Sequence, residues 1–163
     1  MSVLVIRHGL SEANNRENIG TLAFAGIDSP LMRQGQSQAE DLGYRLSVNY
    51  GIQQAEVYVA TSELRRTQET AEIAGFRQIT PYAILNEVQH GFELPVLKEM
   101  IKNRILPPAA ATAAELVLVA PPEQAIWITH GLVIAGLCAA LGVYQNKTFV
   151  PKFCEIRELP IPS

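Results

Sequence analysis

Cysteine is scarce. Cys138 and Cys154 are the only two in 163 residues, both in apolar surroundings and without CxxC spacing. That excludes a disulfide-built scaffold and leaves no zinc-ribbon pattern. Two buried reduced thiols are the expected state, with a disulfide between them left open. Long hydrophobic runs are also missing: no stretch approaches the roughly 18 apolar residues that cross a bilayer. The opening apolar run, residues 3–6, is four residues long and has no basic leader, so no secretory signal is expected. Positive charge is not in excess either. Thirteen Lys and Arg stand against 16 Asp and Glu, a net charge of −3, which argues against a general nucleic-acid binder. No repeat, linker or low-complexity tract interrupts the chain. These absences point to the cytoplasm and to no membrane partner. What remains is ordinary globular composition, 48% hydrophobic and 18% charged. It is enough for one domain over residues 1–163 with a full core.

Short apolar runs alternate with helical periodicity. Val3-Leu4-Val5-Ile6, Val57-Tyr58-Val59-Ala60, Tyr82-Ala83-Ile84-Leu85 and Ala125-Ile126-Trp127-Ile128 read as strands. A last strand over 153–159 is expected at a sheet edge, from the alternation of Phe153, Glu155, Arg157 and Leu159. Leu31, Gly35, Ala39, Leu42 and Leu46 recur at helical spacing, with Tyr50-Gly51 as a stop. Ser62 is an expected N-cap for a helix to residue 74. A helix over 94–105 carries Leu97, Ile101 and Ile105 on one face and ends at Pro107-Pro108. Further helices are expected over 109–120 and 132–141. The polar segment from residue 10 through Asp28-Ser29-Pro30 reads as loop with one helical turn at most. The implied fold class is α/β: a three-layer α/β/α sandwich around a mostly parallel sheet.

The strand ends carry the chemistry. Arg7-His8-Gly9, Ser62 with Arg66, Glu87 and His130-Gly131 each follow an apolar run. In a parallel sheet those carboxyl ends share one rim, where ligands of open α/β folds bind. Two imidazoles, two guanidiniums and one carboxylate meet there. Helix N-termini near Ser62 and Gly131 are expected to add free N–H groups. Arginine forks suit phosphate oxygens, and an imidazole among them can act as nucleophile or proton carrier. Taken one at a time, each of these residues is more often structural. It is their convergence that points to an anion site.

The chain resembles the histidine phosphatase superfamily, the phosphoglycerate-mutase-like branch. The signature Arg-His-Gly-x-[Thr/Ser]-x-x-Asn is matched by Arg7, His8, Gly9, Ser11 and Asn14. Asp28-Ser29-Pro30-Leu31 with Gly35, Gln38 and Ala39 matches the next motif, Met32 replacing the usual Thr. Ser62, Leu64, Arg66, Thr67, Thr70 and Ala71 match a third, Leu85, Glu87 and Gly91 a fourth, and Thr129-His130-Gly131 the last. The resemblance implies a phosphoglycerate-mutase-like fold and His8 as a nucleophile that becomes phosphohistidine. It implies Arg7, Arg66 and His130 as a phosphoryl clamp, and Glu87 as general acid. Ser11 and Asn14 become neutral pocket donors, with Gly131 beside them. Neither metal nor cofactor is implied, since the guanidiniums supply the positive charge.

The resemblance also frames the alternatives. The familiar ending after the Leu-x-Glu motif is replaced by Gly91-Phe92-Glu93-Leu94-Pro95, so Glu93 rivals Glu87 as the acid. Arg65 competes with Arg66, with spacing favouring Arg66. His90 is expected at the surface near the site. Only about forty residues separate Glu87 from His130, which leaves a short cap around 94–120 where relatives carry longer insertions. No equivalent of the mutases' extra basic and polar residues is apparent there, which favours a phosphatase over a phosphoglycerate-mutase-type phosphotransferase. Compact protein phosphohistidine phosphatases typically lack the Leu-x-Glu acid, so Glu87 favours small-molecule phosphomonoesters as partners, with phosphoproteins still open. A non-catalytic phosphate-binding regulatory module is the remaining reading. The edge strand leaves a dimer open.

Overall fold

The computed structural model describes residues 1–14 and 28–163; the loop expected over 15–27 lies outside the described residues. Five strands, β1 (Ser2–Arg7), β2 (Tyr58–Thr61), β3 (Gln78–Pro81), β4 (Ile126–Thr129) and β5 (Ile156–Pro160), form one sheet in the order β3-β2-β4-β1-β5. The first four run parallel, and β5 pairs antiparallel with β1 at the edge. The strands that carry the expected rim residues therefore end on one side.

Alternation along β1 and β4 sends side chains to two separate cores. Val3, Val5 and Trp127 pack with Ala110, Ala114, Val117, Val133, Ile134 and Leu137, from helices α4 (Pro108–Val119) and α5 (Gly131–Leu141). Ile6, Ile126 and Ile128 pack on the other face with Leu42, Leu46, Ala71 and Ala74, from or bordering α1 (Arg33–Tyr50) and α2 (Arg65–Ile73). This is the expected sandwich. No helix among the described residues is long and apolar enough to cross a membrane. Cys138 and Cys154 are free and buried, without a disulfide.

Several local expectations are corrected. Ser62 is not the N-cap of α2, which begins at Arg65. The Arg65 N–H is taken by Asp28 Oδ1 at 2.7 Å, a carboxylate arriving from a distant loop, and so is not free for a ligand. The third strand lies at Gln78–Pro81, and Ala83–Leu85 is a 3-10 turn instead. Helix α3 (Leu94–Lys102) stops short of 105 because Arg104 adopts a left-handed conformation, φ 56°. Ile105 N–H then closes onto the Met100 carbonyl, a Schellman-type end that leaves Ile105 exposed. On β5 the alternation turns Arg157 inward. It is fully buried and donates to Glu155 at 2.7 Å and to the Thr148 carbonyl at 2.7 Å, which ties down the stretch 148–155.

Residues Gly9 and Gly35 allow the first loop and α1 to meet backbone to backbone. A Cβ on Gly35 would lie 2.0 Å from the Leu10 carbonyl oxygen, and one on Gly9 2.6 Å from the Gly35 oxygen. Gly35→Ala is expected to cost about 1–3 kcal/mol, the usual range for overpacking. A chemical-denaturation midpoint equal to that of the wild type would contradict this contact.

Candidate functional site

Strand β1 ends on Arg7, and His8 follows with only 1% of its surface exposed. Its Nδ1 lies 2.6 Å from the Gly9 carbonyl. A carbonyl can only accept, so Nδ1 carries the proton of the neutral ring and Nε2 keeps a free lone pair. Burial holds the His8 pKa well below the usual histidine value, and Arg7 and Arg66 push it further the same way. Gly9 N–H donates to Thr70 Oγ1 at 3.0 Å, and Thr70 in turn donates to the Arg66 carbonyl at 2.6 Å. Thus α2 orients the loop that presents His8.

His130 follows β4 and caps α5. Its ring stands edge-on to His8, centroids 5.0 Å apart. Nε2 pairs with Ser62 Oγ at 2.8 Å, while Nδ1 is buried with no hydrogen-bond partner among the described residues. Burial, then His8, Arg66 and Arg7, keep this ring neutral too. Arg7 donates from Nη1 to the Pro151 carbonyl at 2.7 Å and lies 4.0 Å from the Phe153 ring centroid. Its Nε is buried and unpartnered among the described residues. Burial lowers the Arg7 pKa to about 10, still high enough for a full charge at neutral pH. Arg66 is buried as well.

Glu87 follows the 3-10 turn, held in place because Thr129 Oγ1 donates to the Leu85 carbonyl at 2.7 Å and Asn86 accepts from Glu63 N–H at 2.8 Å. Its carboxylate accepts from Val88 N–H at 2.9 Å. Burial raises its pKa, opposed by that hydrogen bond, Arg66 and Arg7. A cavity of about 160 Å³ brings together Arg7, Asn14, Arg66, Glu87, His90 and Gly131 with the apolar side chains of Leu94, Leu97, Ile101, Leu132 and Val150. His8 and His130, buried against each other, are not among its lining residues, but five of the expected residues share this space. Ser11 does not: it is fully buried and gives its hydroxyl to Asn14 Oδ1 at 2.6 Å, orienting that side chain. Glu93 is exposed and is not among the cavity's lining residues. The side chain of Arg65 is more than half exposed.

Several residues here escaped the sequence reading. Pro151 and Phe153 reach Arg7 from the far end of the chain, a contact with no local signal. Lys98 lines the cavity beside Leu94, Leu97 and Ile101. Their i, i+3, i+4, i+7 spacing was the available clue to a shared helical face. Among the described residues no group of three or more His, Cys, Asp or Glu side chains is gathered as a metal ion requires.

Two buried imidazoles beside two arginines stand at the ends of β1 and β4 and the start of α2, and the chain belongs to the histidine phosphatase superfamily, branch 1: the family profile matches residues 3–99. This places it among proteins of phosphatase or mutase type. The chain is similar to TTHB049 from Thermus thermophilus, with 25% identity over 99% of this chain and 95% of that one, at a TM-score of 0.71. Phosphoserine phosphatase from Entamoeba histolytica, solved with 3-phosphoglyceric acid, has 18% identity, coverage of 96% and 89%, and a TM-score of 0.67. The Rv3214 product of Mycobacterium tuberculosis has 20% identity, the same coverage and a TM-score of 0.61. No curated protein matches in a sequence search.

The two neutral imidazoles make stability depend on pH. A histidine whose folded pKa lies below its unfolded value of about 6.5 binds a proton more readily when unfolded, so stability drains away as pH falls through 6.5. Each of His8 and His130 contributes a slope of up to about 1.4 kcal/mol per pH unit there. Glu87, raised in the fold, acts in the opposite sense. His8→Asn is expected to flatten the acid-side decline in urea midpoints between pH 6.5 and 5, and an unchanged slope would show that the folded ring is already charged.

Proposed function

We propose that the protein is a metal-independent phosphatase that hydrolyses phosphomonoesters through a phosphohistidine on His8. The observation that carries this is the buried, uncharged His8, whose Nδ1 is committed to the Gly9 carbonyl and whose Nε2 is left free to attack. Arg7, Arg66 and His130 hold the phosphoryl oxygens, Arg7 Nε being a buried donor without a partner among the described residues. Fixed donors of this kind are worth on the order of 10²–10³ in rate each. Nε2 attacks phosphorus as the ester oxygen leaves. Glu87, with its raised pKa, gives that oxygen a proton. The resulting carboxylate then takes a proton from the water that attacks the phosphohistidine, and free His8 and phosphate are regenerated. Asn14, oriented by Ser11, and Gly131 border the pocket. In this reading the whole chain acts as one domain and α3 is its short cap, while the Ala110, Ala114 and Val117 face of α4 serves the core.

Lys98 favours a second reading in which the leaving group bears an acidic function, as in a phosphoglycerate-type substrate or mutase. Lys98 lines the cavity beside Leu94, Leu97 and Ile101, and its side chain has no hydrogen bond or ion pair among the described residues.

Hydrolysis of a chromogenic aryl phosphate is expected to survive chelators and to vanish in His8→Ala. An acid-labile, alkali-stable phosphoenzyme should form in the wild type. Glu87→Gln is expected to slow ester hydrolysis about 10²–10⁴-fold, the usual worth of a general acid, with Glu93→Gln near wild type. Normal turnover by His8→Ala sinks the proposal, and loss confined to Glu93→Gln moves the acid. Comparing glycerol phosphate with phosphoglycerate before and after Lys98→Met tests the second reading.

A further inference from the structure

The hydroxyls behind His130 are short of protons. Thr67 Oγ1 lies 2.9 Å from the Leu64 carbonyl and 3.2 Å from the Ser62 carbonyl, atoms that can only accept. Its single proton must point at one of them. Thr67 is then an acceptor toward Ser62 Oγ, 2.8 Å away, so the proton between the two belongs to Ser62. Ser62 Oγ already accepts from Leu64 N–H at 3.2 Å. With its own proton spent on Thr67, it can only accept from His130 Nε2 at 2.8 Å. Both hydroxyls are fully buried, so water does not scramble this order. The opposite polarity would leave the Thr67 oxygen facing two carbonyls without a proton.

We propose that Thr67 and Ser62 form a hydroxyl relay that fixes the proton of resting His130 on Nε2, so that its bare Nδ1 must take up a proton when a phosphoryl dianion binds. The inference rests on His130 being part of the phosphate clamp. Thr67 and Ser62 act through His130 and are positioning residues. His130 Nδ1 is buried without a partner among the described residues, so in the clamp it is the nitrogen that remains to meet the ligand. A lone pair turned toward an anionic oxygen repels it, whereas an N–H donates to it. The groups facing the ring are Arg7 at the end of β1, His8 just after it, and Arg66 from α2. Burial first, then His8 and the two guanidiniums, keep the resting imidazole neutral. A dianion cancels those two charges and lets one proton enter with it, from solvent or from the monoanionic ester. The proton sits on Nδ1 while the anion is bound and leaves with the product.

Sulfate is the probe, because it does not itself protonate near neutral pH. Calorimetry in buffers of different ionisation enthalpy counts the protons taken up, with Glu87→Gln as the common background so that the carboxyl does not contribute. One proton per sulfate is expected for that background and for added Thr67→Ser, with affinity falling about tenfold per pH unit above neutrality. In Thr67→Val the Ser62 proton is free to turn to Nε2, so His130 carries its proton on Nδ1. Uptake should then fall to near zero and the pH slope flatten. Equal uptake in the background and Thr67→Val, or none in either, overturns the relay while leaving the clamp standing. No sulfate binding in any variant overturns the clamp and the relay with it. Imidazole nitrogen spectra of the resting wild type add a readout that needs no variant: a protonated Nε2 on His130 is expected, and a protonated Nδ1 overturns the proposal.

Discussion

Two uncharged imidazoles and two charged guanidiniums packed together behind a sheet rim form the constraint on which the rest depends. Each ring is closed off from water, so its protonated form loses hydration and also meets Arg7 and Arg66. Neutral rings remove that conflict and leave the guanidiniums as the net charge of the cradle. The site is therefore positive yet contains nucleophilic nitrogen, a combination that phosphate-type anions match. The carboxyl of Glu87 interacts with both guanidiniums, and its raised pKa follows from burial, which outweighs the Val88 hydrogen bond and the two arginines.

Backbone geometry delivers the rings. His8 N–H reaches the Thr129 carbonyl at 3.1 Å, which joins the ends of β1 and β4. The glycine contact between the first loop and α1 brings Leu10 N–H within 2.9 Å of Gln38 Oε1. Thr67 and Thr70, one helical turn apart on α2, address the two histidines separately, Thr67 through Ser62 and Thr70 through Gly9. From the other side, buried Arg157 ties down the stretch that carries Val150, Pro151 and Phe153 against Arg7 and Gly131. A fully buried arginine on an edge strand thus holds this wall of the cavity through the Thr148 carbonyl and an ion pair with Glu155.

Much of the fold was legible because it depends on short-range patterns. The β-branched run of β1, the apolar run of β4 and the all-round apolar α5 could bury themselves in few other ways. The failures share one cause, which is that long-range partners overrode local preference. Tyr82-Ala83-Ile84-Leu85 has strand composition, yet Gln78–Pro81 pairs with β2 while the following residues turn to seat Glu87. Ser62 has the right chemistry for a cap, but its hydroxyl is taken up by His130 and Thr67 while Asp28 satisfies the helix end. The end of α3 at Arg104 carries no glycine to announce it.

The sequence alone determined the residue types that can hold a phosphate and their spacing behind successive strands: Arg7-His8-Gly9, Arg66, Glu87 and His130-Gly131. It also determined the α/β architecture, since alternating apolar runs and helical stripes have few ways to hide their faces. Only the tertiary structure decided which carboxylate faces the guanidiniums, which nitrogen of each ring is free, and that Lys98, Pro151 and Phe153 belong to the same site. Those outcomes turn on distances of a few ångströms between residues far apart in the chain. Hydrogen-bond polarity and burial act at that range, and no local pattern records them.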